Sequence, residues 1–154
     1  VGNKVWESQL TWSLYGYSHA PIINVWPEKD SIVLRFSGSA ENKHASIEFS
    51  LHESGVDGFE DISHLEGQKI VLDGVTNKAF FIRESKYQEA YKNRGFGQLY
   101  IRKVELNDSL TSAIFSGTFG FSVTDSIGNT SKISYGRFDY QLGKETNFFI
   151  STER

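Results

Sequence analysis

Residues 115–123 read FSGTFGFSV, and residues 133–140, after a polar break, read ISYGRFDY. Alternation in the first stretch places Phe115, Gly117, Phe119, Phe121 and Val123 on one face of a strand. Ser116, Thr118, Gly120, Ser122 and Thr124 fall on the other. A period of two describes a half-buried strand and decides the fold. The break Asp125-Ser126-Ile127-Gly128-Asn129 supplies the turn of a hairpin, with Gly128 and Asn129 best able to take a positive φ. On the return strand Ile133 and Tyr135 share one face, while Phe138, Tyr140 and Leu142 share the opposite one. A β-bulge at Gly136 restores the inward phase, because one extra residue flips the alternation. Passage of the strand from one sheet to another is the alternative.

Outward from this hairpin, the same signal recurs along the chain. Runs rich in β-branched and aromatic residues, separated by Gly, Asn, Asp and Ser, predict strands at about 4–10, 12–17, 22–26, 31–37, 45–52, 68–72, 78–84, 98–106, 112–124, 131–142 and 146–150. Many short strands at regular spacing predict an all-β, mainly antiparallel fold. A β-sandwich with an aromatic core is the expected form, and a closed lipocalin-like β-barrel the alternative. One segment invites a helix: Ser85-Lys86-Tyr87-Gln88 has capping-box form, Tyr87 and Tyr91 are four apart, and Gly95 can end it. An extended hairpin arm through the same residues is the competing expectation. Ser54 to Glu66, acidic and punctuated by glycine, is predicted as a loop.

No linker or repeat divides the 154 residues, so a single domain over 1–154 is expected. At 38% hydrophobic and 14% aromatic the chain can build a core without metal or disulfide, and with no Cys it has no thiol chemistry. It begins at Val1 and contains no Met, as a processed product would. No run reaches the length of a membrane span. Sixteen Lys and Arg against 19 Asp and Glu give a net charge of -3, which exerts no general pull on phosphate backbones. Nucleic acid is therefore not an expected partner.

Catalytic and metal motifs are sparse. His19, His44, His52 and His64 form no His-x-x-x-His or His-Glu-x-x-His pair. His44, Glu48 and His52 share one strand face, the disposition of a solvated polar face. Glu53, Asp57, Glu60 and Asp61 lack the spacing of a calcium loop, although two carboxylates from distant strands can serve a glycosidase. Gly-x-Ser-x-Gly and the phosphate-binding glycine loop are absent. No metal or cofactor is expected. The aromatics carry more: all three tryptophans lie in the first 26 residues. Trp12 falls on one strand face and Tyr15 and Tyr17 on the other. With Trp26 they form the candidate ligand-binding set, since exposed rings with polar tips stack on sugars or anchor a protein interface.

Four phrases stand out: Gly2-Asn3-Lys4-Val5-Trp6-Glu7, Gly97-Gln98-Leu99-Tyr100-Ile101, Ile114-Phe115-Ser116-Gly117-Thr118-Phe119-Gly120-Phe121 and Ile133-Ser134-Tyr135-Gly136-Arg137-Phe138-Asp139. Taken together, they resemble an uncharacterised family of lipoprotein-type β domains from the cell envelope of Gram-negative gut anaerobes. Ser134-Tyr135 departs from the family's usual Thr followed by a variable residue. The resemblance implies export, removal of a signal peptide at a lipid-bearing cysteine upstream, and a periplasmic or cell-surface site. It brings no activity, substrate or catalytic residue. The expected function is a non-enzymatic envelope module that binds a glycan or another envelope protein. The alternatives are a glycan-acting hydrolase and a carrier of a small apolar ligand.

Overall fold

A computed structural model of the chain describes residues 6–8, 23–28, 30–40, 43–52, 54–85, 88–125 and 127–150. The strands are β1 (Trp6–Ser8), β2 (Ile23–Glu28), β3 (Ser31–Ala40), β4 (Lys43–His52), β5 (Lys69–Leu72), β6 (Lys78–Ser85), β7 (Gln88–Leu106), β8 (Ser112–Thr124) and β9 (Thr130–Gly143). All nine belong to one sheet of order β1-β3-β4-β6-β7-β8-β9, with β2 pairing β3 and β5 pairing β7. Every pairing between named strands is antiparallel. The expected all-β class holds. Its two layers are limbs of one sheet curled into a half-barrel, so that β3 and β4 face β8 and β9 across the core.

Ring contacts trace that curl. Phe36 on β3 lies 5.1 Å, centroid to centroid, from Phe138 on β9, and Phe49 on β4 lies 5.3 Å from Phe119 on β8. Phe138 also stacks on Phe115 at 5.3 Å. The inward set of residues 115–123 is buried, as its alternation requires. Two of its glycines' neighbours explain the repeated Gly-x-Phe phrase. A Cβ at Gly117 would meet the Phe138 ring at 2.5 Å, and one at Gly136 would meet the Phe119 ring at 2.3 Å. Each glycine leaves the room that a facing ring occupies.

The bulge falls one step from its expected place. Phe119 pairs with Gly136 and Phe121 with Ile133, so β9 carries one extra residue at Ser134-Tyr135. Tyr135 takes the left-handed conformation there, at φ 58°. Gly136 is needed for the approach of Phe119, which leaves the unusual φ to its neighbour.

Residues 85–95 are not helical where described: β7 starts at Gln88 and runs back along β6, with Ser85 paired to Gln88 and Ala79 to Gly95. The hairpin arm is the form adopted. Residues 54–66 contain a 3-10 helix, Glu60–Leu65, inside the expected loop. Its Ile62 and Leu65, with Val56 and Phe59, are buried and join the main core. The predicted strand 146–150 is a short closing segment. Phe148 makes a parallel bridge to Val25, Val25 N donates to Asn147 O at 2.7 Å, and Phe149 N donates to Val25 O at 2.9 Å. The half-barrel thus closes at one point between β2 and the chain beyond β9. Strand 12–17 lies outside the described residues.

Two turns use the same device. Asp73 Oδ1 accepts the amides of Val75, Thr76 and Asn77 at 2.8, 2.8 and 3.0 Å. Asp125 Oδ1 accepts those of Ile127 and Asn129 at 3.1 and 2.8 Å, with Gly128 at φ 89°. The Val75 amide, aided by Asn77 and Thr76, holds the Asp73 carboxyl below the usual carboxylate range, and the Asn129 amide does the same for Asp125. A carboxyl with a depressed folded-state pKa contributes stability above its unfolded value, near ~3.9, and that contribution is lost as pH falls through the folded value. Denaturant midpoints at pH 6 and pH 3 should therefore differ less in Asp73→Asn than in the parent chain. Equal pH dependence in both would remove Asp73 from the account.

Candidate functional site

Pairing registers set out the convex face of β5, β7, β8 and β9 in rows. Phe96 lies opposite Ser122, which lies opposite Lys132. The next row is Val71, Gln98 and Gly120, ending at the bulge of Tyr135. A third runs Lys69, Tyr100, Thr118 and Arg137. All carry the phase opposite to the buried Leu99, Ile101, Phe119 and Phe121. Two adjoining shallow depressions of about 400 and 570 Å³ open on this face, and both are lined by Gly97, Gly120 and Tyr135. Phe96 borders the first and Tyr100 the second.

The rim is aromatic and exposed. Phe96 is 59% exposed and Tyr135 fully so. Phe96 stands against Gly74, where a Cβ would lie 2.8 Å from its ring. Lys69 Nζ sits 5.5 Å from the Tyr100 centroid, a cation over a ring face. Tyr135 buries nothing, yet it occupies a backbone region that costs a non-glycine residue about 1–2 kcal/mol.

Gly120 forms the floor, and the fold does not demand it. Its φ lies outside the left-handed region, and an added Cβ would meet only Ile133 O, at an ordinary 3.6 Å. Glycine inside a strand weakens it and marks a bulge or a close approach, and Gly120 lies opposite the bulge of β9. Here the missing side chain keeps the floor flat between Phe96 and Tyr135.

Of the aromatic residues singled out from sequence, Trp26 is described and Trp12, Tyr15 and Tyr17 lie outside the described residues. Trp26 is half-buried, with the Arg35 guanidinium 5.2 Å from its ring centroid. Arg35 in turn donates from Nε to Glu48 Oε2 at 2.9 Å. Val33, Ser46, Glu48 and Ile82 are all buried on the side of the sheet away from the ring core, so that part of the convex face is covered. The open convex face is the other limb. Tyr100 falls in the outward phase of the predicted strand 98–106, whereas Phe96 lies before that strand's expected start; Tyr135, expected to share the inward face of Ile133, is turned outward because the bulge falls at Ser134-Tyr135 and not at Gly136.

The titratable residues have local partners. Glu48, between the exposed His44 and His52 on β4, turns to Arg35. His64 Nδ1 is 3.0 Å from Gly55 O. Asp61 Oδ2 accepts the amides of Asp57 and Gly58 at 3.2 and 2.8 Å, and Glu60 pairs with Lys144 at 3.1 Å. Glu66 Oε2 accepts the Val104 amide at 2.9 Å. Among the described residues no group of three His, Asp or Glu side chains is placed to hold a metal ion. His19 and Glu53 lie outside those residues. Comparison of the chain with protein-family models, with curated proteins and with solved structures finds no match.

Proposed function

We propose that this domain is a non-enzymatic binding module of the cell envelope and that it holds a glycan on the convex groove between Phe96, Tyr100 and Tyr135. The observation that carries the proposal is Gly120: a strand glycine opposite the β9 bulge, with room for a side chain that it lacks, lying between exposed rings. Flat apolar rings with polar neighbours suit the faces and hydroxyls of sugars. Gln98, Thr118 and Ser122 supply those neighbours on the same face. Among the described residues the rings inside the half-barrel pack on one another, with Phe36, Phe49, Phe115, Phe119 and Phe138 all buried. The envelope setting and lipid tether rest on the resemblance of the terminal and hairpin phrases. A full-length precursor without a signal peptide and a Cys shortly before Val1 would remove that part.

Filling the floor separates binding from folding. Gly120→Thr supplies a strand-favouring side chain where space exists and should stabilise by about 0.5–1 kcal/mol. At roughly 2–4 °C per kcal/mol, the thermal midpoint rises slightly. The same change should weaken retention on a polysaccharide affinity gel about tenfold or more. A variant that is more stable and retains full binding would dismiss the groove.

A further inference from the structure

We infer that the glycan held in this groove is acidic, a polysaccharide bearing carboxylate or sulfate groups. The inference rests on the proposed glycan site and adds its charge. Three cations stand at the ends of the rows described above: Lys69 and Arg137 flank Tyr100 and Thr118, and Lys132 follows Phe96 and Ser122. A fourth, Arg94, lies two residues before Phe96 on β7, and both side chains border Gly74. Lys132 and Arg137 line the two depressions directly. All of this sits on a chain whose net charge is -3. Four of the chain's 16 basic residues thus border one groove of a protein that is acidic overall, with Asp139 and Asp73 among the acidic residues beside them.

Their partners within the chain are few. Arg137 has Asp139 at 3.9 Å, with both side chains well exposed. Among the described residues, Lys69, Arg94 and Lys132 lie within ion-pair distance of no carboxylate. Asp73, at the turn nearest Phe96, gives one carboxylate oxygen to three backbone amides. The Lys103 and Glu105 pair lies beyond the third row and is internally neutral. An anionic substituent at the Phe96 end thus meets Arg94 and Lys132, which pair with no carboxylate among the described residues. At the other end it meets Lys69, seated over the Tyr100 ring, and Arg137, loosely paired with Asp139. The exposed rings of Phe96 and Tyr135 take the sugar faces. Neutral glycans use only the rings. Polyanions without sugar rings use only the cations.

Equilibrium binding to polygalacturonate, dextran sulfate, neutral dextran and polyglutamate tests the inference with the whole chain, read by biolayer interferometry at low and high salt. The expected result is that an acidic polysaccharide binds about tenfold or more tighter than dextran. Raised salt should erode that advantage, since exposed charges are screened. Lys132→Ala with Arg137→Ala should remove it, and Phe96→Ala should weaken sugars without creating polyglutamate binding. Both sets of side chains are exposed, so thermal midpoints should stay near the parent value. Equal binding of dextran and the acidic polymers, lost in Phe96→Ala and kept in the double variant, would overturn the charge inference while leaving the glycan site. Binding of polyglutamate as tight as the sugars and indifferent to Phe96→Ala, or no binding to any polymer, would overturn both.

Discussion

Phe138→Ala should lower stability by about 3–5 kcal/mol, near the upper end for a buried aromatic ring cut back to a methyl group. From β9 the ring reaches two other strands: Phe36 on β3 at 5.1 Å, Phe115 on β8 at 5.3 Å, and Gly117, also on β8, whose missing Cβ makes its seat. Because β3 and β9 are separated in the pairing order by β4, β6, β7 and β8, Phe138 joins two limbs of the curl that do not pair with each other. Its removal leaves a void whose walls are already fixed by the sheet, so collapse around it is limited. At roughly 2–4 °C per kcal/mol the thermal midpoint should fall by about 6–20 °C. A loss under about 1 kcal/mol in urea titration would mean the limbs do not depend on this ring. Phe138→Leu, which retains most of the volume, should recover much of the loss.

Arg35→Ala is the second large effect, expected at about 3 kcal/mol, the lower edge of the range for a buried ion pair stripped of one partner. Glu48 has 4% of its side chain exposed and Arg35 has 42%, so the cost falls on the carboxylate. The guanidinium donates to Glu48 from Nε and Nη2 and is covered by the Trp26 ring. Alanine removes the cation, its two hydrogen bonds and the surface on which Trp26 rests. Solvent access on the arginine side holds the loss to the lower edge of that range. The double variant Arg35→Met with Glu48→Leu should be markedly less damaging than Arg35→Ala alone, because no charge is then left in the covered layer. Additive single and double losses would show that the pair does not act as a unit.

Much of the fold was legible because a half-buried strand writes its burial in alternate letters. Residues 115–123 and their turn at Asp125 to Asn129 stand as their pattern requires. Whether the layers come from one sheet or two was not legible, since the alternation is the same in a sandwich and in a curled half-barrel. At residues 85–95, Tyr87 and Tyr91 four apart mimic a helix face, but pairing with β6 outweighs a capping signal worth about 1 kcal/mol. The 3-10 helix did leave a signal: Val56, Phe59, Ile62 and Leu65 recur every third residue, the period of that helix. Gly136 showed where the alternation breaks, but not that the facing Phe119 ring would move the unusual backbone to Tyr135. The open groove was the least legible feature. It depends on which limb of the sheet is covered, and covering is a property of the whole chain.

The bridge between Val25 and Phe148 also bears on synthesis. From β3 to β9 the sheet is largely a meander, so most pairings can form in the order in which the chain leaves the ribosome. Residue 25 must wait for residue 148. Until then β2 has its β3 partner but lacks the Asn147 and Phe149 contacts that join the two ends of the curl. During that interval the emerging chain presents an open seam at β2, where unpaired backbone groups invite pairing with another nascent copy. The segment beyond β9 therefore acts as a clasp on β2 that can fasten only after β9 has been made.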